Sequence, residues 1–183
     1  MYRVDTDVIS EARKGDRANA GVRAFFNNAT RGNFALFLSA ITIGELRQGV
    51  ELIRHRGDRT QAQRLERWLE RLAVEYADAI LPFDQETAEI WGRLRAPHPE
   101  NPLDKQIAAT AMIYQRAVVT RNAAHYNPTG VDLLNPITSL SERALLTPAE
   151  PELAIPVAGR LKARESPFFR AQHRCDGECH TPS

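Results

Sequence analysis

The sequence predicts an α/β domain, a three-layer α/β/α arrangement around a central parallel sheet of four to five short strands, followed by a C-terminal tail. Three observations carry this reading. Short apolar runs alternate with longer amphipathic stretches up to about residue 138. The run over 34–38, Phe-Ala-Leu-Phe-Leu, is continuously apolar, as suits a strand covered on both faces. After residue 138 the composition changes: 45 residues hold five of the eleven prolines and only Phe168 and Phe169 as aromatics.

Taken in order, residues 1–5 form a short strand, and 7–14 and 17–28 form helices with Val8, Ile9, Val22, Phe25 and Phe26 inward. The strand over 34–38 leads to helices over 41–54 and 59–76. The second of these places Leu65, Trp68, Leu69 and Leu72 at i, i+3, i+4, i+7 spacing. A brief strand over 79–81 precedes a helix over 84–95 capped by Asp84 and another over 104–116. Strands over 117–120 and 131–134 complete the sheet. The small-residue run Ala108-Ala109-Thr110-Ala111 lets its helix lie close to the sheet. Residues 1–138 thus read as one domain. Residues 139–183 bury too little apolar surface to offset the entropy of ordering them, so a mostly disordered tail is expected, with one short helix around 154–164.

Composition excludes several classes. The chain of 183 residues suits about one domain plus an appendage. Its net charge is only +1, and 21 of its 24 cationic residues are arginine, a bias credited mainly to the genome. No apolar run reaches the roughly 18 to 20 residues of a membrane helix, and the N-terminus carries acids where a signal peptide would be apolar. A soluble cytoplasmic protein is expected. Cys175 and Cys179 both lie in the last ten residues, so no disulfide framework spans the fold.

Ligands of open parallel sheets bind beyond the carboxyl ends of the strands, which selects among 23 acids. Asp5 ends the first strand, Glu45 lies near the start of the helix after the second, and Asp104 begins the helix before the fourth. Three carboxylates distant in sequence can therefore converge, and such a cluster suits Mg²⁺ or Mn²⁺. Each also has a structural reading. Asp5 and Asp104 fit N-caps, and Thr42-Ile43-Gly44-Glu45 fits a capping box.

Five segments extend this. Val4-Asp5-Thr6-Asp7-Val8-Ile9-Ser10-Glu11, the stretch from Ser39 to Gly49 containing Thr42-Ile43-Gly44-Glu45, Ile80-Leu81-Pro82-Phe83-Asp84, Asp104-Lys105-Gln106-Ile107-Ala108-Ala109-Thr110-Ala111 and Val119-Thr120-Arg121-Asn122 together resemble PIN-domain ribonucleases, above all VapC-like toxins of type II toxin–antitoxin pairs. The resemblance covers nearly all of 1–138. It implies a Mg²⁺-dependent endoribonuclease, expected to be a homodimer, acting on RNA and inhibited by a cognate antitoxin. It places the acidic metal site on Asp5, Glu45 and Asp104; beside them, the Thr6 hydroxyl and the Asn122 amide are expected to orient water or ligands.

Two departures stand out. The family usually has Asn where this chain has Asp7, and a fourth carboxylate where this chain has Asn122 or, three residues on, His125. An imidazole there would tilt preference toward Mn²⁺, while a solvated turn is the simpler reading of His125. The missing carboxylate also motivates a catalytically weakened PIN-fold binding module. Asp5-Thr6-Asp7 further resembles the Asp-x-Asp start of haloacid-dehalogenase-type phosphatases, although the acidic pair which that chemistry needs is absent. Seven arginines between Arg47 and Arg71 could follow an RNA backbone, but interleaved acids favour a solvated helix pair. Val50, Ile53 and Trp68 are candidates for an antitoxin groove, with core packing the expected fate of Trp68. His173, Cys175, Cys179 and His180 have zinc-ligand chemistry, and a tail with incidental ligands is the reading preferred.

Overall fold

The computed structural model describes residues 1–138. Five strands, β1 (Tyr2–Val4), β2 (Leu36–Ser39), β3 (Ile80–Leu81), β4 (Ala117–Val119) and β5 (Leu133–Leu134), form one sheet in the order β3-β2-β1-β4-β5. Every neighbouring pair is parallel. Strands this short persist because helices cover both faces: α1 (Thr6–Ala12), α2 (Ala20–Arg31), α3 (Ala40–His55), α4 (Arg59–Glu75), α5 (Gln85–Arg95), α6 (Pro102–Ile113) and α7 (Ala123–Tyr126). The predicted α/β class and parallel sheet are therefore observed.

Alternation along β1 sends Tyr2 and Val4 to one face and Arg3 to the other. On the first face Val4, Leu38 and Val119 pack with Val8 and Ile9 of α1, Val22 of α2, Leu46 and Val50 of α3, and Leu69 and Leu72 of α4. On the second, Val118 packs with Ile107, Ala108 and Ala111 of α6 and with Tyr126 of α7. These two alanines are fully buried, which is the packing role read from the small-residue run.

Several boundaries move, each for a local reason. Residues Gly15–Arg17 form a 3₁₀ turn, and α2 begins only at Ala20 because Asn19 caps it, its side chain accepting from Gly21 N at 2.8 Å. The chain then turns through Asn33 at φ 50°, which leaves Phe34 half exposed and starts β2 two residues later than the apolar run suggests. The helix α6 starts at Pro102 behind Asn101, held in the left-handed region, so Asp104 sits in its first turn and is not its cap. The short α7 has no clear periodic signal. The proposed tail, its 154–164 helix and the Cys/His segment lie outside the described residues. Among the described residues, no helix is long and apolar enough to cross a membrane.

Candidate active site

Strand β1 has β2 on one side and β4 on the other, so the sheet's order switches there, the place at which open α/β sheets form a crevice beyond the strand ends. Asp5 follows β1 directly and is only 4% exposed. Its Oδ1 accepts from Thr6 N at 2.7 Å, capping α1, while its Oδ2 accepts from Thr120 Oγ1 at 2.8 Å, across from the end of β4. The same Thr120 oxygen accepts from Asn122 N at 3.0 Å. Asp5 is thus both cap and site wall, and the two readings of it are compatible.

Glu45 does not close a capping box. The α3 cap is Ser39, whose hydroxyl accepts from Ile41 N at 3.2 Å, so the helix begins three residues before a Thr42 cap would place it. Glu45 therefore lies beyond the first turn, where its Oε2 accepts from Thr6 Oγ1 at 2.5 Å. Thr6, next to Asp5, links two of the expected acids through one side chain.

Asp104 projects from the first turn of α6, and its Oδ2 lies 2.8 Å from His125 Nδ1 in α7. His125 is about half exposed, but it is a partner of Asp104 and not a free turn residue. Asp7 accepts through Oδ2 from Arg121 N at 3.1 Å and Nε at 3.2 Å, which ties the segment after β4 to α1. Asn122 is exposed at the rim, positioned through its backbone N–H.

The acids sense one another. Burial first, and then the charge of Asp7, pushes the Asp5 carboxyl up to about 6, against the hydrogen bond from Thr120. Burial also raises Glu45, with Asp104 and Asp7 adding to the shift. Asp7 is raised by burial and held back by Arg121. Among the described residues, no three His, Cys, Asp or Glu side chains stand as a ready-made metal cage. The donor chemistry nonetheless fits a hard divalent cation: Asp5, Glu45 and Asp104 offer carboxylate oxygens whose mutual repulsion such an ion would relieve.

Thr120 and Tyr126 are further site residues that the sequence reading does not single out. The Tyr126 hydroxyl lies within electrostatic range of Asp5, is fully buried, and finds no well-aligned hydrogen-bond partner among the described residues. The signal for Thr120 was available: a hydroxyl ending the strand beside β1 must approach Asp5.

Two of the seven arginines between Arg47 and Arg71 join α3 and α4 through ion pairs. Arg47 and Arg54 both grip Glu66, at 2.8 and 2.7 Å, and Arg54 also pairs with Glu51. Val50 is core, and Ile53 packs against it. Trp68 meets the core as expected but also lines a cleft of about 730 Å³ between α1, α2 and α4, together with Ile9, Ala12, Phe26, Leu72 and Tyr76. The Arg13 guanidinium sits over its ring, 5.7 Å from the centroid.

The chain is similar to known proteins. The chain is 33% identical over 141 residues to Toxin FitB of Neisseria gonorrhoeae, spanning 74% of this chain and 98% of FitB. It is 33% identical over 142 residues to VapC ribonuclease Y4jK of Sinorhizobium fredii, spanning 74% and 97%. The crystal structure of FitAcB from Neisseria gonorrhoeae superposes with a TM-score of 0.63 at 32% identity, covering 74% of this chain and 98% of that one. The PIN domain model matches residues 2–130, which contain β1 to α7 and each of the acids gathered at the switch point. A five-stranded parallel sheet with carboxylates at its central crevice, matched over most of its length by that model, makes this chain a member of the PIN-domain family.

Proposed function

We propose that the chain is an endoribonuclease toxin of a type II toxin–antitoxin pair, cleaving RNA phosphodiester bonds with the help of Mg²⁺ or Mn²⁺. The observation that carries this reading is that Thr6 joins Asp5 to Glu45 and that Glu45 feels the charge of Asp104, which holds His125. Names borne by relatives, Toxin FitB and VapC ribonuclease, support it. Family membership also removes the dehalogenase-type reading, since Glu45 now has a place and both oxygens of Asp5 are engaged.

Asp5, Glu45 and Asp104 would hold the cation. When bound, it supplies charge for the phosphate oxygens and lowers the pKa of an attacking water. The chain's own groups do the rest. Two hydrogen bonds fix the Asp5 carboxylate in one orientation, and Thr6 aims Glu45 into the crevice. Asp104 fixes the His125 ring through Nδ1, which leaves Nε2 to face water or substrate. Asn122, exposed where Thr120 anchors its backbone, offers an amide for a phosphate oxygen.

The antitoxin belongs in the cleft lined by Trp68, on the α1, α2 and α4 side, so that Val50 and Ile53 take no part. Homodimerisation, a cytoplasmic location and a division into a nuclease domain over 1–138 and a tail over 139–183 complete the proposal. The test is cleavage of a structured RNA by the purified full chain in Mg²⁺, in Mn²⁺ and in EDTA. Cleavage in either metal, lost in EDTA and in Asp5→Asn or Asp104→Asn variants that still fold, is the expected result. A folded chain that binds RNA without cutting it in either metal would make it a binding module instead.

A further inference from the structure

Arg121 sits between Thr120, which holds Asp5, and Asn122, which is exposed at the rim of the site. Its backbone N and its Nε both donate to Asp7 Oδ2, at 3.1 and 3.2 Å, and its Nη1 reaches Glu11 Oε2 at 3.5 Å. Glu11 is itself fixed: its Oε2 accepts from Lys14 Nζ at 2.6 Å and its Oε1 from Asn19 N at 3.0 Å. Asp7 and Glu11 are one turn apart on α1, so the Arg121 side chain lies along that helix. It is 35% exposed, and its Nη2 takes no acceptor among the described residues. One edge of the guanidinium is therefore anchored and the other is open.

A latch would need less than this. The Arg121 backbone N–H already ties the segment after β4 to Asp7, without the side chain. What the guanidinium adds is an oriented cation beside a wall of acids. Asp5, Glu45 and Asp104 repel a phosphodiester backbone at close range. The segments that carry the site, residues 5–9, 39–45, 102–105 and 120–125, contain only two arginines or lysines, Lys105 and Arg121. Lys105 is 1% exposed and turned to Glu100. Arg121 is thus the accessible permanent cation of these segments, and it does not line the cleft with Trp68.

We propose that Arg121 is a substrate-binding residue that takes an RNA phosphate flanking the bond to be cut, with Glu11 as the positioning residue that aims it. The proposal rests on the RNA reading above and not on the bound metal. The planar fork suits two phosphate oxygens, and a fork held in advance loses less freedom when the phosphate arrives. The flanking phosphate is the one in reach because the side chain runs along α1, away from Asp5 and toward Glu11. A phosphate contact carries no base information, so it acts alike on every sequence.

The experiment is binding of short single-stranded RNA oligonucleotides of two unrelated sequences to the full chain in EDTA, followed by fluorescence anisotropy over a series of KCl concentrations, with a melting curve for each variant. Arg121→Gln is expected to weaken both RNAs by about tenfold and to flatten the salt dependence by about 0.7 in log–log slope, the share of one phosphate on a single strand. Arg121→Lys keeps the charge, so it should keep the slope and recover part of the affinity. Glu11→Gln removes a negative charge, which by simple repulsion would tighten RNA binding; as a loss of aim it should weaken binding by about threefold. Unchanged affinity and slope in folded Arg121→Gln, or tighter binding by Glu11→Gln, overturns the proposal, and Glu11→Gln decides alone if Arg121→Gln does not fold. A wild-type chain that binds neither RNA overturns it too, whereas the nuclease reading is judged separately by cleavage in metal.

Discussion

Asp5 carries three duties with one carboxylate: it caps α1, takes the Thr120 hydroxyl and walls the crevice. Its folded pKa of about 6 lies above the ordinary 3.8, so the native state holds this proton more tightly than the unfolded chain does. The metal-free protein should therefore lose stability as pH rises from about 4 through about 6, by up to roughly 3 kcal/mol from this group. Chemical denaturation in EDTA at several pH values, compared with Asp5→Asn, isolates the effect. Parallel pH profiles for the two proteins would refute it. A bound cation competes with the same proton, so divalent affinity should fall below pH 6. His125 supports a second test. It stands near the position of a family carboxylate and already faces Asp104, so His125→Asp should tighten Mg²⁺ binding by adding a hard, charged ligand. Calorimetry checks this, and unchanged Mg²⁺ affinity would show that the His125 position does not reach the cation.

Elements decide which of these residues meet. The acids at positions 5, 45 and 104 were legible from the sequence because strand ends and helix starts can be read from apolar runs and caps. Their true company was not. An α3 that starts at Ala40 behind a Ser39 cap, and not behind Thr42, turns Glu45 from a capping side chain into the partner of Thr6. A start at Pro102 moves Asp104 from cap to first turn, and the four-residue α7 that brings up His125 is too short to show a period. The burial of Arg3 was legible as well: in a strand covered on both faces, its alternate position has nowhere to go but inward. Close approach is also set at this scale. A Cβ at Gly21 of α2 would fall 2.2 Å from the Pro136 carbonyl oxygen, backbone that cannot yield as a flexible side chain would. Gly21→Ala should consequently cost about 1 to 3 kcal/mol, measured by denaturant unfolding, despite alanine's better helix propensity. A neutral or stabilising result would show that the segment after β5 moves aside freely.

At the scale of the whole molecule, the proposed function divides between two surfaces. The acidic crevice lies at the strand ends, while the apolar cleft with Trp68 lies among α1, α2 and α4, and α1 contributes to both through Thr6 at its start and Ile9 and Ala12 further along. An inhibitor seated in the cleft is thus one helix away from the chemistry, and the two functions should separate by mutation. Trp68→Ala removes a large contact from the cleft and touches none of the site's hydrogen bonds. Co-purification with the antitoxin should weaken by about ten- to a hundredfold in affinity, as for loss of a central aromatic anchor, while RNA cleavage by the free protein stays near wild type. Because Trp68 also packs partly on the core, a melting curve must accompany the measurement. Asp104→Asn is the mirror experiment, with cleavage lost and the complex intact. If Trp68→Ala abolished cleavage in a protein that still melts cooperatively, the cleft and the crevice would be one site, and an inhibitor acting beside the chemistry would have to give way to one acting within it.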